Sequence, residues 1–104
     1  MTDVRVVLVT CSHPEAAATL ARTLVEEGLA ACGNVLPGLR SIYRWQGQVQ
    51  DETEALLLLK TTAARFEALR ERVVALHPYE VPEVIALAVD AGHAPYLAWV
   101  AGGP

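Results

Sequence analysis

Apolar residues along this chain follow two different spacings, and each spacing predicts a type of element. Runs that are rich in β-branched residues, or apolar at every second position, predict strands. Such runs occupy residues 4–10, 29–36, 40–50, 54–61 and 83–90. Apolar residues three or four positions apart predict helices. The first predicted helix carries Ala17, Leu20, Ala21, Leu24 and Val25 on one face, the second carries Phe66, Leu69, Val73 and Leu76, and a short third covers 95–100.

Glycines, prolines and polar clusters predict where these elements begin and end. Ser12 and Glu15 have the spacing of a capping box, which predicts that Ser12 is the N-cap of the first helix. That helix is predicted to end at Gly28. The second helix is predicted to end before Pro78, because the residue preceding a proline disfavours the α region. Turns are predicted at Pro37–Gly38 and at Asp51–Glu52.

The order of the predicted elements is βαββ(β)αβ(α), which indicates an α+β fold. A strand, a helix and a strand, repeated, are typical of a ferredoxin-like sandwich in which two helices cover one face of a sheet. Residues 29–50 then form a long hairpin that extends this plan. No repeat, low-complexity segment or interdomain linker interrupts residues 1–104, so we expect a single domain.

Three of the predicted strands are apolar on both faces. A sheet with one face in water should alternate apolar and polar residues, but VVLV at 6–9, LLLL at 56–59 and VIALAV at 84–89 do not. Single exposed aliphatic residues are common, whereas three adjacent strands of this kind would expose a larger patch than monomers usually tolerate. We therefore expect another subunit to cover this face, in an obligate oligomer.

Composition and charge narrow the range of partners. The chain is 53% apolar, and its net charge of −4 opposes a phosphate-binding surface for nucleic acid. No apolar run approaches the ~20 residues that span a bilayer, and Asp3 and Arg5 interrupt the N-terminal run, so neither a membrane partner nor a signal peptide is predicted. Two cysteines without a repeating spacing do not form a disulfide framework. We expect a reduced, cytoplasmic protein.

Five segments, in order, resemble the CutA family of divalent-cation tolerance proteins over essentially the whole chain. They are LAAC (29–32), PG followed by SIYRWQG (41–47), LLLLKT (56–61), HPYEVPE (77–83) and YLAW (96–99). The resemblance implies a ferredoxin-like homotrimer, similar in architecture to PII signalling proteins, with the hairpin reaching neighbouring subunits. It also implies a role in tolerance of copper and other divalent metals, since several family members bind copper. It does not imply a reaction.

The segment HPYEVPE carries metal-binding groups on a backbone that its two prolines restrict. We predict that His77 and Glu83, with Cys32 of the LAAC motif as a third ligand, bind Cu²⁺ or another divalent metal near a subunit boundary. Imidazole, carboxylate and thiolate together suit copper better than Mg²⁺ or Ca²⁺. Two alternatives remain: His77 can simply face the helix dipole, and a cysteine in an apolar strand is often a small buried hydrophobe.

A ligand-binding cleft is predicted where the hairpin meets this segment. Its predicted side chains are Tyr43, Trp45, Lys60, Tyr79 and Glu80. Tyr43 and Trp45 share a strand face by the period-2 rule, although such a pair can also pack across a subunit boundary. Lys60 could hold an anion in this cleft, or could extend its amine into solvent.

Cys11 and His13, in the loop before the first helix, form a weaker alternative metal pair. A thiol at a helix N-terminus has a lowered pKa. We expect both cysteines to be reduced, since nothing in the sequence argues for an oxidising compartment, and we expect Cys11 to react with alkylating reagents faster than Cys32. Two ligands in one short loop fall short of a closed zinc or copper site.

These residues favour a binding or signalling module that responds to divalent metal, copper above all. The alternative is a sensor of a small anionic, nucleotide-like ligand, by analogy with PII proteins, although a glycine-rich phosphate loop is absent. An enzyme is not predicted. No Ser/His/Asp arrangement stands out, and the loop TCSHPEA offers neither an arginine nor a glycine nest for a phosphoryl group.

Overall fold

The structure is a computed structural model that describes residues 1–102. Its elements, in chain order, are β1 (Val4–Cys11), α1 (Pro14–Glu26), β2 (Cys32–Trp45), β3 (Gln48–Thr62), α2 (Ala63–Leu76), β4 (Ile85–Ala88) and α3 (Ala94–Ala101). The strands pair in antiparallel fashion in the order β2-β3-β1-β4. This topology is the predicted ferredoxin-like α+β sandwich. Within residues 1–102, no helix combines the length and apolar character that crossing a bilayer requires.

Helices α1 and α2 pack against one face of the sheet and form the core there. Val7 and Val9 of β1, and Leu57 and Leu59 of β3, are fully buried in it. The helices contribute Ala17, Leu20, Ala21, Leu24, Leu69 and Val73. Four of the five residues predicted for the inner face of α1 therefore lie in the core, and Val25 is exposed.

The N-terminus of α1 shows that the predicted capping box is wrong. The N-cap is His13, not Ser12, and His13 Nδ1 accepts a hydrogen bond from the Ala16 N–H at 3.2 Å. Because a residue before proline disfavours the α region, His13 stays extended and the helix begins one position later, at Pro14. The helix ends as predicted, with Gly28 at a φ of +73°.

The region predicted as two strands separated by a turn is one long strand of a β2–β3 hairpin. Residues 29–31 lie outside the sheet, and β2 then continues through Pro37–Gly38. The pairing with β3 shifts between Leu36 and Leu39, so this dipeptide forms an irregularity within the strand instead of a turn. The chain turns at Gln46–Gly47, whose φ angles of 50° and 78° suit a tight two-residue hairpin.

The predicted turn at Asp51–Glu52 is also wrong, because both residues lie within β3. Asp51 accepts two hydrogen bonds from the Arg40 guanidinium, at 2.9 and 2.7 Å, and they lower the pKa of that carboxyl. Glu52 accepts a hydrogen bond from the Tyr43 hydroxyl at 2.6 Å. This part of the hairpin is largely exposed on both faces, so acidic side chains find cross-strand partners without leaving the strand.

The face of the sheet opposite α1 and α2, named the open face, carries the apolar residues that broke the expected alternation. They are Val6, Leu8, Leu36, Leu56, Leu58, Ile85 and Leu87. Each is half-buried or exposed in the single chain. β4 occupies only the middle of the strand predicted at 83–90. Helix α3 lies near the end of the open face marked by Cys32, whose Sγ is 3.7 Å from the Tyr96 hydroxyl.

Candidate functional site

A cavity of about 690 Å³ lies on the open face, where the β2–β3 hairpin meets the segment that follows α2. We name it the open-face cavity. Its aromatic and acidic lining side chains are Tyr43, Trp45, Tyr79, Glu52, Glu54, Glu80 and Glu83. Because side chains alternate between the two faces of β2, Tyr43 and Trp45 lie on the same face. Tyr79 and Glu80, in the segment 77–83 with its two prolines, line the cavity beside them. Four of the five residues predicted for a ligand cleft therefore line one cavity.

Two phenol–carboxylate pairs stand in the wall of this cavity. The Tyr43 hydroxyl donates to Glu52 Oε1 and the Tyr79 hydroxyl donates to Glu54 Oε2, each at 2.6 Å. The hydrogen bond to Glu52, together with desolvation and the carboxylate charge, raises the pKa of Tyr43 to about 12. Burial and the bond to Glu54 also raise the pKa of Tyr79. Both phenols are therefore protonated donors at neutral pH, and each holds one carboxylate oxygen in place.

Glu54 is the most buried acid of the open-face cavity, with 6% of its surface exposed. Its Oε2 accepts the hydrogen bond from Tyr79, whereas its Oε1 accepts none from any group in residues 1–102. Over the same residues, no side-chain oxygen is both shielded from solvent and without a partner. The free Oε1 of Glu54 is therefore open to the cavity. A carboxylate that is buried without a counter-charge is costly.

The open-face cavity has no basic group to balance its acids. Glu52, Glu54, Glu80 and Glu83 contribute to the lining, and no lysine or arginine does so in the described chain. The strong ion pair of the hairpin, between Arg40 and Asp51, lies on the opposite face of the ribbon. The local field therefore favours cations over anions.

Lys60, the fifth residue predicted for the cleft, does not reach this cavity within one chain. It pairs across the sheet with Cys32, four residues along β3 from Leu56, and its Nζ donates to Asn34 Oδ1. The neighbouring Cys32 thiol contacts Tyr96 of α3, and this hydrogen bond, with a smaller effect of burial, raises the pKa of the Tyr96 hydroxyl. The lysine amine thus cannot hold an anion between the hairpin and the segment 77–83 of the same chain.

His77 is the buried C-cap of α2, and both of its ring nitrogens are engaged. Nδ1 accepts a hydrogen bond from the Tyr79 N–H at 3.2 Å, so Nε2 carries the proton and donates to the Thr10 carbonyl oxygen at 2.8 Å. The His77 and Tyr79 rings also meet edge to face, with centroids 4.5 Å apart. These contacts fasten the segment 77–83 to β1 and position Tyr79 for its bond to Glu54. Metal coordination by His77 requires the loss of one of these hydrogen bonds.

The predicted metal set of Cys32, His77 and Glu83 is not brought together within one chain. Glu83 lines the open-face cavity, His77 is fastened to Thr10, and Cys32 lies at the α3 end of the sheet. In residues 1–102, no three His, Cys, Asp or Glu side chains are placed to hold a metal ion. A site shared by these three ligands therefore needs donors from more than one copy.

A second cavity, of about 370 Å³, lies between the start of α1 and the end of α2. Cys11, His13 and His77 all contribute to its lining. The thiol does not have the lowered pKa predicted from its place before a helix. Cys11 is only 3% exposed, and burial, followed by the charge of Glu54, raises the pKa of its thiol. His13 Nδ1 is occupied as the cap of α1, so only Nε2 of this ring is available as a ligand, and the raised pKa keeps the buried Cys11 thiol protonated at neutral pH.

This burial reverses the predicted order of thiol reactivity. Both cysteines are free thiols, but Cys32 is partly exposed whereas Cys11 lies in the core. We expect iodoacetamide to alkylate Cys32 several-fold faster than Cys11 in the native protein, because Cys32 is accessible whereas burial shields the Cys11 thiol and raises its pKa. Mass spectrometry of the labelled peptides measures the two rates, and the urea-unfolded protein, in which the rates should converge, is the control. Faster native labelling of Cys11 would contradict the burial.

Glu52 and Glu54 are site residues that the sequence reasoning missed. They alternate with the apolar position Leu56 and therefore share its face of β3. For Glu54 this parity was available within the strand predicted at 54–61, whereas the turn predicted at Asp51–Glu52 left Glu52 outside that strand. The contact of Tyr79 with Glu54 joins residues that are distant in the chain, so no local sequence pattern indicated it.

Known proteins resemble this chain in both sequence and fold. Residues 5–102 match the sequence profile of the family described as CutA1 divalent ion tolerance protein. The chain belongs to this family. The divalent-cation tolerance protein CutA of Thermus thermophilus is 57% identical over 95 residues, which cover 91% of this chain and 92% of that protein. The CutA homolog of Xenopus laevis is 50% identical over 92 residues, or 88% of this chain, but these are only 61% of the Xenopus protein.

Solved structures of CutA proteins share the fold over almost the whole chain. The divalent cation tolerance protein Cut A1 of Thermus thermophilus superposes with a TM-score of 0.93 at 54% identity and covers 96% of this chain and 97% of its own. A protein from a Nostoc species, described as the PII-like protein CutA in apo form, gives a TM-score of 0.88 at 39% identity, with 95% of each chain covered. Membership of the CutA family, predicted from five sequence segments, is thus confirmed, together with the PII-like fold.

Proposed function

We propose that this CutA-family protein is a cytoplasmic homotrimer that binds divalent cations, Cu²⁺ first among them, as a metal-responsive module and not as an enzyme. One observation carries the choice of a divalent cation as the ligand. The open-face cavity is lined by four glutamates and by no lysine or arginine of the described chain. Carboxylates attract and coordinate divalent cations, and the uncompensated charge concentrates cations near the cavity.

The same observation opposes a sensor of a small anionic ligand. A nucleotide-like ligand needs basic side chains or a glycine-rich loop around its phosphates. Lys60, the basic residue predicted for this purpose, lies beside Cys32 and Asn34, away from the glutamates. An anion in the open-face cavity would meet like charges with no base to offset them.

Assembly as a trimer would complete the cavity as well as the fold. The cavity adjoins the apolar residues of the open face, which the single chain leaves half-buried or exposed. A second copy packed on this face would remove that surface from water and bring further donors to the rim of the cavity. Such donors are what the Cu²⁺ set of Cys32, His77 and Glu83 requires, since these three residues are separated within one chain.

Calorimetric titration tests the divalent-cation assignment. Wild-type protein is titrated with Cu²⁺ and Mn²⁺, and separately with ATP as the anionic probe without metal. We expect saturable binding of the metals and none of ATP, and we expect Glu54→Gln and Glu83→Gln to weaken metal binding. Glu71→Gln, an exposed position on α2, is the matched control. Binding of ATP without binding of either metal would overturn the proposal.

His77→Ala separates a structural role of this residue from a metal-binding one. We expect a loss of stability of about 1–3 kcal/mol, because the Thr10 carbonyl and the Tyr79 N–H both lose their buried partner. His93→Ala, at an exposed cap without a side-chain hydrogen bond, should change stability by about 0.5 kcal/mol or less. Urea denaturation measures both variants. An unchanged Cu²⁺ affinity in folded His77→Ala would remove His77 from the metal set.

A further inference from the structure

The open-face cavity has an aromatic wall and a volume that a bare metal ion does not need. Tyr43, Trp45 and Tyr79 line it beside the glutamates, and its volume is about 690 Å³. Pockets of about 300–1,000 Å³ usually hold small organic ligands. Aromatic faces attract organic ammonium groups through the ring quadrupole. Acidic and aromatic surfaces together therefore suit an organic cation.

Two of the glutamates are attached to the backbone at a separation close to the length of a short diamine. Glu52 and Glu54 lie two residues apart on β3 and line the same cavity, so their Cα atoms are about 6.8 Å apart. In each carboxylate, one oxygen is held by a tyrosine hydroxyl, and the other accepts no hydrogen bond from residues 1–102. The nitrogens of an extended 1,4-diaminobutane are about 6 Å apart, given single bonds of about 1.5 Å.

Glu54 gives an independent indication that a cation belongs here. It is almost fully buried, has no basic partner in the described chain, and leaves Oε1 open to the cavity. A buried carboxylate is stable only when a counter-charge or a full set of hydrogen bonds compensates its lost hydration. An ammonium group at Oε1 would supply both the missing charge and a charge-assisted hydrogen bond.

We propose that the open-face cavity binds an aliphatic diamine, with one ammonium group on Glu52, the other on Glu54, and the methylene chain against the rings of Tyr43 and Trp45. The proposal rests on the proposed function only in that both place a cation in this cavity. A diamine uses the whole cavity, because its charges match the two free carboxylate oxygens and its apolar chain matches the aromatic wall. A metal ion uses the carboxylates alone.

Titration calorimetry with 1,4-diaminobutane on the protein at low salt tests the proposal. We expect saturable binding that Glu52→Gln and Glu54→Gln each weaken by about tenfold or more. Trp45→Ala should weaken it by about two- to fivefold, through loss of the apolar contact between the indole ring and the methylene chain. The matched controls are Glu71→Gln and Trp99→Ala, which lie outside the cavity and should bind as the wild type does. A monoamine of the same length, n-butylamine, should bind more weakly than the diamine.

The outcomes separate this inference from the divalent-cation assignment. The absence of saturable diamine binding to folded wild-type protein would overturn the inference, as would equal affinity in wild type, Glu52→Gln and Glu54→Gln. If Mn²⁺ binds and the diamine does not, the inference fails while the proposed function stands. If the diamine binds and no metal does, the proposed function fails while the inference stands. Should Glu54→Gln fail to fold, the exposed positions Glu52 and Trp45 carry the test.

Discussion

Leu58→Asp is expected to abolish assembly and remove most of the stability of the protein. Leu58 lies in the middle of β3, between Leu8 and Asn34, on the open face. Where another copy covers this face, the aspartate is a buried charge without a partner, at a cost of about 3–5 kcal/mol per copy. That is a large share of a typical domain stability of ~5–15 kcal/mol. Sedimentation equilibrium should show the loss of a species that contains three chains of 11.2 kDa.

Val74→Asp is the matched control for this experiment. Val74 is 47% exposed on α2, on the opposite side of the molecule from the open face. The same chemical change there should leave the assembly intact and shift the free energy of unfolding only slightly. Wild-type protein that sediments as a folded single chain at micromolar concentration would contradict the homotrimer.

Leu57→Ala is expected to reduce the free energy of unfolding by about 2–5 kcal/mol. Leu57 precedes Leu58 but points the other way, into the core beneath α1, where it is fully buried between Val9 and Val35. Truncation removes apolar contacts and leaves a void that close-packed neighbours fill only in part. Denaturation by guanidinium chloride, at a fixed protein concentration, measures the loss.

The same truncation at an exposed leucine gives the comparison. Leu76 is 43% exposed near the end of α2, so Leu76→Ala should cost about 1 kcal/mol or less. Similar losses at Leu57 and Leu76 would show that the core does not lie between the sheet and α1. Leu57→Ala and Leu58→Asp together also distinguish the two faces of β3, because the first should weaken the fold of each chain and the second its assembly.

The open-face cavity and the apolar residues of the open face belong to one surface of the molecule, so the proposed ligand and the proposed partner subunits would meet there. His77 fastens the segment 77–83 to β1, Tyr79 reaches from that segment to Glu54, and Tyr43 holds Glu52 from the hairpin. The two carboxylates are therefore held by tyrosines from two separate parts of the chain, one of which His77 fastens to β1.

By itself, the sequence determined the order of the helices and of the strands that they connect and, through it, the ferredoxin-like fold, although it divided β2 at Pro37–Gly38. Period-2 and helical spacings act over a few residues, and so do the signals that ended α1 at Gly28 and α2 before Pro78, so local patterns suffice. The lack of alternation in Leu56–Leu59 also predicted an apolar open face, because a strand exposes every second residue. The sequence did not determine which leucines of β3 face the helices, because this strand is apolar on both of its faces.

Only the tertiary structure decided how the site is assembled. The contact of Tyr79 with Glu54 joins residues 25 positions apart, and that of His77 with Thr10 joins residues 67 apart, so no local pattern reports either. Sheet register likewise placed Lys60 beside Cys32 and away from the glutamates, although Lys60 lies on the same strand as Glu52 and Glu54. Packing of α1 over the end of β1 buried Cys11 in the core, where desolvation outweighs the helix-terminus effect that the sequence suggested. Each of these outcomes depends on contacts between distant segments, which exist only once the chain has folded.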